Sequence, residues 1–293
     1  MENKFKKSSA KKRSAIRNVL IVICTIILFI GIFLLTISIK NIIEVSNINE
    51  EAKFVSEELA SNSTPILVNN LLLGAIYNGT WVSSEKFYFY GKTVKDFNVD
   101  VYTSNGKKGT YKLETMKKST TGSDVYISTT NTNKNEEYVA IASGENNIMP
   151  LPAIEYTNIS DYDYKIVKKT LGIYKVLNSS INITKAYDIN IDTNTKGRIY
   201  VVTNEIGKGM GGYSAVIYKD VSGNSKIIKY SFVSNLNNSS NWPIYSFKFI
   251  ADLNQDGKNE IIIQETKEFE VKYDIIEYRN NKFNEVLSST IKI

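Results

Sequence analysis

Residues 19–39, VLIVICTIILFIGIFLLTISI, constrain this chain more than any other stretch. No charge interrupts them, and the only hydroxyl side chains are those of Thr25, Thr36 and Ser38. A helix of that length, at ~1.5 Å of rise per residue, covers roughly 31 Å, close to the hydrocarbon thickness of a bilayer. In lipid the backbone must satisfy its own hydrogen bonds, so a lone span has to be helical. A core helix of a globular protein would carry a polar face here, and none is present. The sequence predicts a single transmembrane helix over 19–39.

The flanks give this span a direction. Residues 1–18 hold seven Lys or Arg against the one acid Glu2, and the whole chain has 36 basic and 30 acidic residues for a net +6. The basic surplus is therefore a property of the tail, which stays in the cytoplasm and places the C-terminal bulk outside the cell membrane. Cations beside a span also favour anionic headgroups, so the membrane and not nucleic acid is the expected partner of this run. The apolar stretch is too long for a cleaved signal peptide, and no Ala-x-Ala follows it, which predicts an uncleaved single-pass signal anchor. Abundant Asn, Ile, Lys and Tyr resemble the output of an AT-rich bacterial genome.

Cys24 is the only cysteine and lies inside the span, and histidine is absent. Nucleophile–imidazole pairs, imidazole acid–base catalysis and the usual zinc or copper sites are thereby excluded. The adjacent acids Asp161 with Asp163 and Glu136 with Glu137 leave a glycan hydrolase as the one enzymatic alternative, because two carboxylates suffice for that chemistry. No motif supports it, so a non-enzyme is expected.

After the span the chain is expected to fold as a mainly β protein. Ile48, Ala52, Val55 and Leu59 recur at helical spacing, which predicts a short stalk within a linker over 40–65. It serves as a spacer or as a dimerisation element. Residues 66–152 alternate apolar and polar side chains in short runs, with Phe97, Val99, Val101 and Thr103 on one face. Further strands are expected at KFYFY (86–90), TYKLETM (110–116), VYIST (125–129) and YVAIA (138–142). Turn-rich pieces such as SNGKKG separate them, as in a small antiparallel barrel or sandwich. Trp81 and the aromatics at 87–90 belong to its core, or else to a ligand platform. A second β-rich domain covers 153–293, opening with a short helix over 162–177 on the apolar stripe Val167, Leu171 and Tyr174. The glycines Gly207, Gly209, Gly211 and Gly212 precede the strand-like YSAVIY rather than a helix. They predict a hairpin connection instead of a phosphate loop.

Within 153–293 two segments match each other. Asp188, Asn190 and Asp192 precede IYVVTNE and YSAVIY, and Asp252, Asn254 and Asp256 precede IIIQET and YDIIEY 64 residues later. That interval accommodates a four-stranded unit each time. The second copy, DLNQDGKNEIII, spaces oxygen donors on alternate residues and puts Gly257 where a tight turn is required, as a hard cation demands. The place that an EF-hand fills with its last acid is Ile263, and the flanks are strands, so an EF-hand is ruled out. A plain Asx-rich turn is the alternative to a metal loop.

A strand–loop–strand of this composition resembles the FG-GAP/VCBS type of calcium loop found in integrin-like blades and bacterial surface proteins. The resemblance covers about a dozen residues closely and loosely extends from Asp188 onward. It implies Ca²⁺ held by Asp252, Asn254, Asp256, the Lys258 carbonyl and Glu260. In the first copy Thr193 replaces the glycine and no acid follows, so the resemblance implies no metal there. Two repeats do not close a propeller. The expected function is a membrane-anchored extracytoplasmic binding or scaffold protein for a cell-wall, glycan or protein partner. An exterior sensor signalling through a partner is the alternative.

Overall fold

The computed structural model describes residues 63–90, 98–118, 125–129, 137–142, 154–172, 181–207, 211–233 and 243–292. The expected tail, span and stalk up to residue 62 lie outside these. No helix among the described residues is long and apolar enough to cross a membrane.

The N-terminal part is built on β1 (Ser63–Val68) and β2 (Leu71–Tyr77), an antiparallel pair joined at Asn69 and Asn70. Asn69 takes φ of 53°, a left-handed conformation that asparagine tolerates better than most residues. Then come β3 (Thr80–Ser83), β4 (Asn98–Thr103), β5 (Gly106–Lys118), β6 (Val125–Thr129) and β7 (Val139–Ala142). Their order is β1-β7-β4-β5-β6-β2-β3, and β1 also pairs with β2. Six strands therefore pair in a closed ring, with β3 attached to the far half of β2. Closure leaves few bare strand edges. Leu67, Leu72, Ala75, Val99, Val101 and Ala140 fill the ring's interior.

Two expectations fail here for local reasons. KFYFY forms no strand, because α1 (Ser84–Tyr90) is a helix. The Ser83 hydroxyl accepts the Lys86 amide at 3.4 Å and Glu85 sits in the first turn, both favourable at a helix N-terminus. Phe87 then drops into the ring's interior at 1% exposure. Nor does β4 show one wet face: Asp100 and Tyr102 are covered as well as Val99 and Val101. The linker expected over 40–65 also overlaps the structure at its end, since Ser63 already opens β1.

The rest of the chain contains β8 (Ile154–Glu155), α2 (Asp161–Gly172) and two four-stranded meanders. The first meander is β9 (Ile183–Asn190), β10 (Lys196–Gly207), β11 (Gly211–Asp220) and β12 (Ser225–Val233), with β8 added beside β9. The second is β13 (Ile244–Ala251), β14 (Glu260–Lys267), β15 (Glu270–Arg279) and β16 (Lys282–Lys292). The two matching sequence segments thus fold alike. Helix α2 starts one residue before the expected 162–177, and residues beyond Gly172 up to 180 lie outside the described set. Gly207 pairs with Gly211, so the glycine cluster does join the two strands of a hairpin.

Packing stacks these pieces in sequence. One face of the first meander buries Tyr200, Val202, Ala215 and Ile217 against Val167 and Leu171 of α2. Its other face places Ile199, Val201 and Val216 against Phe247, Ile261 and Ile263 of the second meander. The second meander then turns Phe249, Ile262, Ile275 and Leu287 toward Ile66, Val68, Leu73 and Ile141 of the ring. Each meander is consequently covered on both faces, which explains why its central strands read as nearly continuous β-branched runs.

The expected boundary between residues 152 and 153 falls among residues outside the described set, and one of the four apolar clusters holds residues from both sides of it. All described residues belong to one compact unit, Glu58–Ile293. Polar contacts reinforce the junction: the Ser289 hydroxyl donates to the Leu72 carbonyl at 2.8 Å and Asn69 Nδ2 to the Tyr273 hydroxyl at 3.0 Å. At Gly74 the ring approaches so closely that a Cβ would lie 2.4 Å from the Val82 carbonyl and 2.8 Å from a Leu287 methyl.

Candidate metal centre

The loop between β13 and β14 is assembled by its own side chains. Asp252 Oδ2 accepts the Gly257 amide at 3.0 Å, Asn254 Oδ1 the Asp256 amide at 3.0 Å, and Asp256 Oδ1 the Lys258 amide at 2.9 Å. Within these Asx turns Gln255 (φ 60°) and Gly257 (φ 84°) take left-handed backbone, which glycine adopts freely. Leu253 inserts into the core at 1% exposure, and its amide donates to Glu260 Oε2 at 2.8 Å.

Glu260 is the unusual member. It is fully buried at the first position of β14, and its second oxygen, Oε1, has no hydrogen-bond partner; nor does the buried Oδ1 of Asp252. Burial pushes the Glu260 carboxyl up to about 8; the charges of Asp256, Asp252 and Glu277 add to this, and the Leu253 amide opposes it. Burial also raises Asp252, against the Gly257 amide. An acid cluster of this kind holds its protons or needs a cation. Four of the five expected donors are thereby placed by their own bonds, and Lys258 by its amide. Each of Asn254 and Asp256 already gives an oxygen to a turn amide. Among the described residues no three His, Cys, Asp or Glu side chains gather as a ready-made metal cluster. What the structure does show is that Asp252 Oδ1 and Glu260 Oε1, which flank a turn with left-handed backbone at Gln255 and Gly257, are buried without hydrogen-bond partners.

The matching loop of the first meander differs. Asp188 and Asn190 remain inside β9, so only Asp192 reaches the turn. Its Oδ1 accepts the Asn194 and Thr195 amides at 2.8 and 2.6 Å and its Oδ2 the Thr195 hydroxyl at 3.0 Å. These bonds hold the Asp192 carboxyl below its ordinary value despite its burial cost. Asp188 instead receives Arg198 Nε at 2.7 Å. The two loops touch: Asn259 donates its amide to the Ile191 carbonyl at 2.6 Å and its side chain to the Asn190 carbonyl at 2.8 Å.

A second polar centre was not foreseen. Asp163, 1% exposed, occupies the first turn of α2, where Ser160 caps it: Asp163 Oδ2 accepts the Ser160 amide at 3.0 Å and hydroxyl at 2.8 Å, and the Asp163 amide returns to Ser160 Oγ at 3.3 Å. Its other oxygen accepts the Tyr200 hydroxyl, Lys219 Nζ at 3.1 Å and Arg198 Nη1 at 3.5 Å. Burial alone would raise this carboxyl, but these donors hold it well below the usual carboxylate range. Arg198 also lies 3.4 Å from the Tyr156 ring centre. The Ser160-x-x-Asp163 spacing is a capping-box signal legible in sequence; the partners from β10 and β11 are not. Of the other acids named from the sequence, Glu137 is ion-paired with Lys248 at 2.5 Å. Glu136 lies outside the described residues.

No family model, curated protein or solved structure matches this chain.

Proposed function

We propose that this chain is a membrane-anchored extracytoplasmic module that presents its stacked β-sheets to a cell-wall, glycan or protein partner, with the β13–β14 loop stiffened by Ca²⁺. The observation that carries the metal is the pair of orphaned oxygens on Asp252 and Glu260. Asp252, Asp256 and Glu260 would hold the ion with the Asn254 amide oxygen and the Lys258 carbonyl, in the manner of FG-GAP/VCBS loops. A bound cation neutralises the repulsion among these acids and lets Glu260 ionise. With three carboxylates a dissociation constant on the order of 10⁻⁴ to 10⁻³ M is expected, suited to exterior calcium concentrations. The apolar run at 19–39 and the basic tail before it supply the anchor and its direction.

Two measurements on the full-length chain test this reading. Millimolar Ca²⁺ raises the melting temperature, and Asp256→Ala abolishes the rise; equal melting with calcium and with chelator rejects the loop. In-cell crosslinking followed by identification of neighbours recovers envelope components; recovery of cytoplasmic neighbours alone rejects the placement.

A further inference from the structure

A cavity of about 330 Å³ opens where the β9–β10 loop and the β11–β12 turn meet, lined by Asp188, Asn190, Lys196, Arg198, Lys219 and Asp220. That volume falls at the small end of ligand sites. We propose that it binds a neutral saccharide, which names a ligand class for the binding role above and rests on that role.

The charges decide the class. Lys196, Arg198 and Lys219 face Asp188 and Asp220, and Asp163 lies behind Arg198 and Lys219, so the site is balanced overall. An ionic ligand gains no net field there, whereas a polyol needs donors and acceptors side by side. Donors are present in the ammonium of Lys196 and the guanidinium of Arg198, whose Nε and Nη1 engage Asp188 and Asp163. Acceptors are the second oxygen of Asp188 and the side-chain amide of Asn190.

The walls are also fixed before any ligand arrives. Asp188 and Asp163 clamp Arg198 over Tyr156, Asp163 holds Lys219, and Asp220 accepts the Asn224 amide at 2.8 Å and its side chain at 3.0 Å. Pre-ordered polar groups lose little freedom on binding. Val221, 80% exposed, gives the lining an apolar surface suited to the C–H face of a sugar ring, and Tyr162, 55% exposed, stands next to the lining residue Lys219, whose Nζ is 5.1 Å from its ring centre.

The test is titration of the full-length chain, with calcium present, by maltose and N,N′-diacetylchitobiose, and by glucuronate and inorganic phosphate as charged comparators, followed by calorimetry and NMR. Saturable millimolar binding of a neutral saccharide is expected, weakened about fivefold by Lys196→Met and by Tyr162→Ala, as removal of one hydrogen bond or one stacking surface implies. Both residues are exposed, so the variants keep the fold, which the melting temperature checks. Tighter binding of phosphate or glucuronate than of either neutral sugar overturns the proposal, as does binding unaffected by both substitutions or no binding at all. If sugars fail while calcium still raises the melting temperature and crosslinking still finds envelope neighbours, the ligand class falls and the anchored-module reading stands.

Discussion

The two meanders share strand order, hairpin connections and a common apolar interface, yet their first turns solve opposite problems. In the β9–β10 turn every oxygen of Asp192 has a donor within the next three residues. In the β13–β14 turn an acid lies at the base of the loop, fully buried, with one oxygen bonded and one bare. The first turn is complete as folded; in the second, burial raises the Glu260 carboxyl to about 8 and leaves its Oε1 without a donor. Similar sheets therefore do not imply similar turns, because the position of one carboxylate relative to the end of its strand decides whether its oxygens meet turn donors.

The meanders differ again in what covers their outer faces, and the largest expected effect lies there. Asp163→Ala leaves Lys219, Arg198 and the Tyr200 hydroxyl without their shared acceptor and should cost about 3–5 kcal/mol, the range for breaking a buried ion pair. Thermal or urea unfolding of the full chain measures it. A loss below about 1 kcal/mol would mean that α2 is held on the first meander by Val167 and Leu171 alone. Because the Asp163 carboxyl is depressed, its contribution is present above pH 3.8 and disappears only as pH falls well below that value.

Glu260 gives the opposite sign. Its folded pKa, about 8, exceeds the ordinary 4.5. The favourable protonated form is intact below pH 4.5 and is lost as pH rises through 8, so the calcium-free chain should become less stable between those limits. Glu260→Gln should flatten that profile and stabilise the calcium-free protein at pH 8 by a few kcal/mol. A wild-type melting temperature that is level from pH 5 to 9 in chelator would contradict this. The calcium increment should accordingly be larger at pH 8 than at pH 5.

Asp192→Ala sharpens the contrast between the loops. It should destabilise by about 1–2 kcal/mol through the lost turn bonds while leaving the calcium-induced rise unchanged, whereas Asp256→Ala should remove the rise. If both variants remove it, the two loops act as one site. The smallest effect belongs to Asn259→Ala, which should cost about 1 kcal/mol, or a few degrees in melting temperature, by deleting the side-chain bond to the Asn190 carbonyl. Differential scanning calorimetry resolves a shift of that size.

Much of the strand content was legible because alternation and turn residues are local signals. The β4–β5 hairpin sits where SNGKKG places it, and the 64-residue offset marks two meanders of one topology. KFYFY was misleading, since aromatic-rich alternation imitates a strand while the decisive signal was the Ser83 cap before it. The turn formed by Asp252, Asn254, Asp256 and Gly257 was legible as alternate Asx residues before a glycine, while Glu260 entered as a ligand only through the FG-GAP/VCBS resemblance. Nothing in that spacing distinguished an exposed Glu260 from a buried one, because the covering atoms come from other strands. The Asp163 cluster was hidden for the same reason: its acceptor lies 37 residues from Tyr200 and 56 from Lys219.

By itself the sequence determined much of the strand content and the turn chemistry, which depend on neighbours within a dozen residues along the chain, and the repeat, which needs only a comparison of the chain with itself. The tertiary structure alone decided that the ring packs on the second meander and the second meander on the first, that α2 covers one sheet and the ring another, and that Glu260 loses its water. Burial is set by which surfaces meet, and a carboxylate's protonation follows its burial; neither quantity exists until distant strands are stacked.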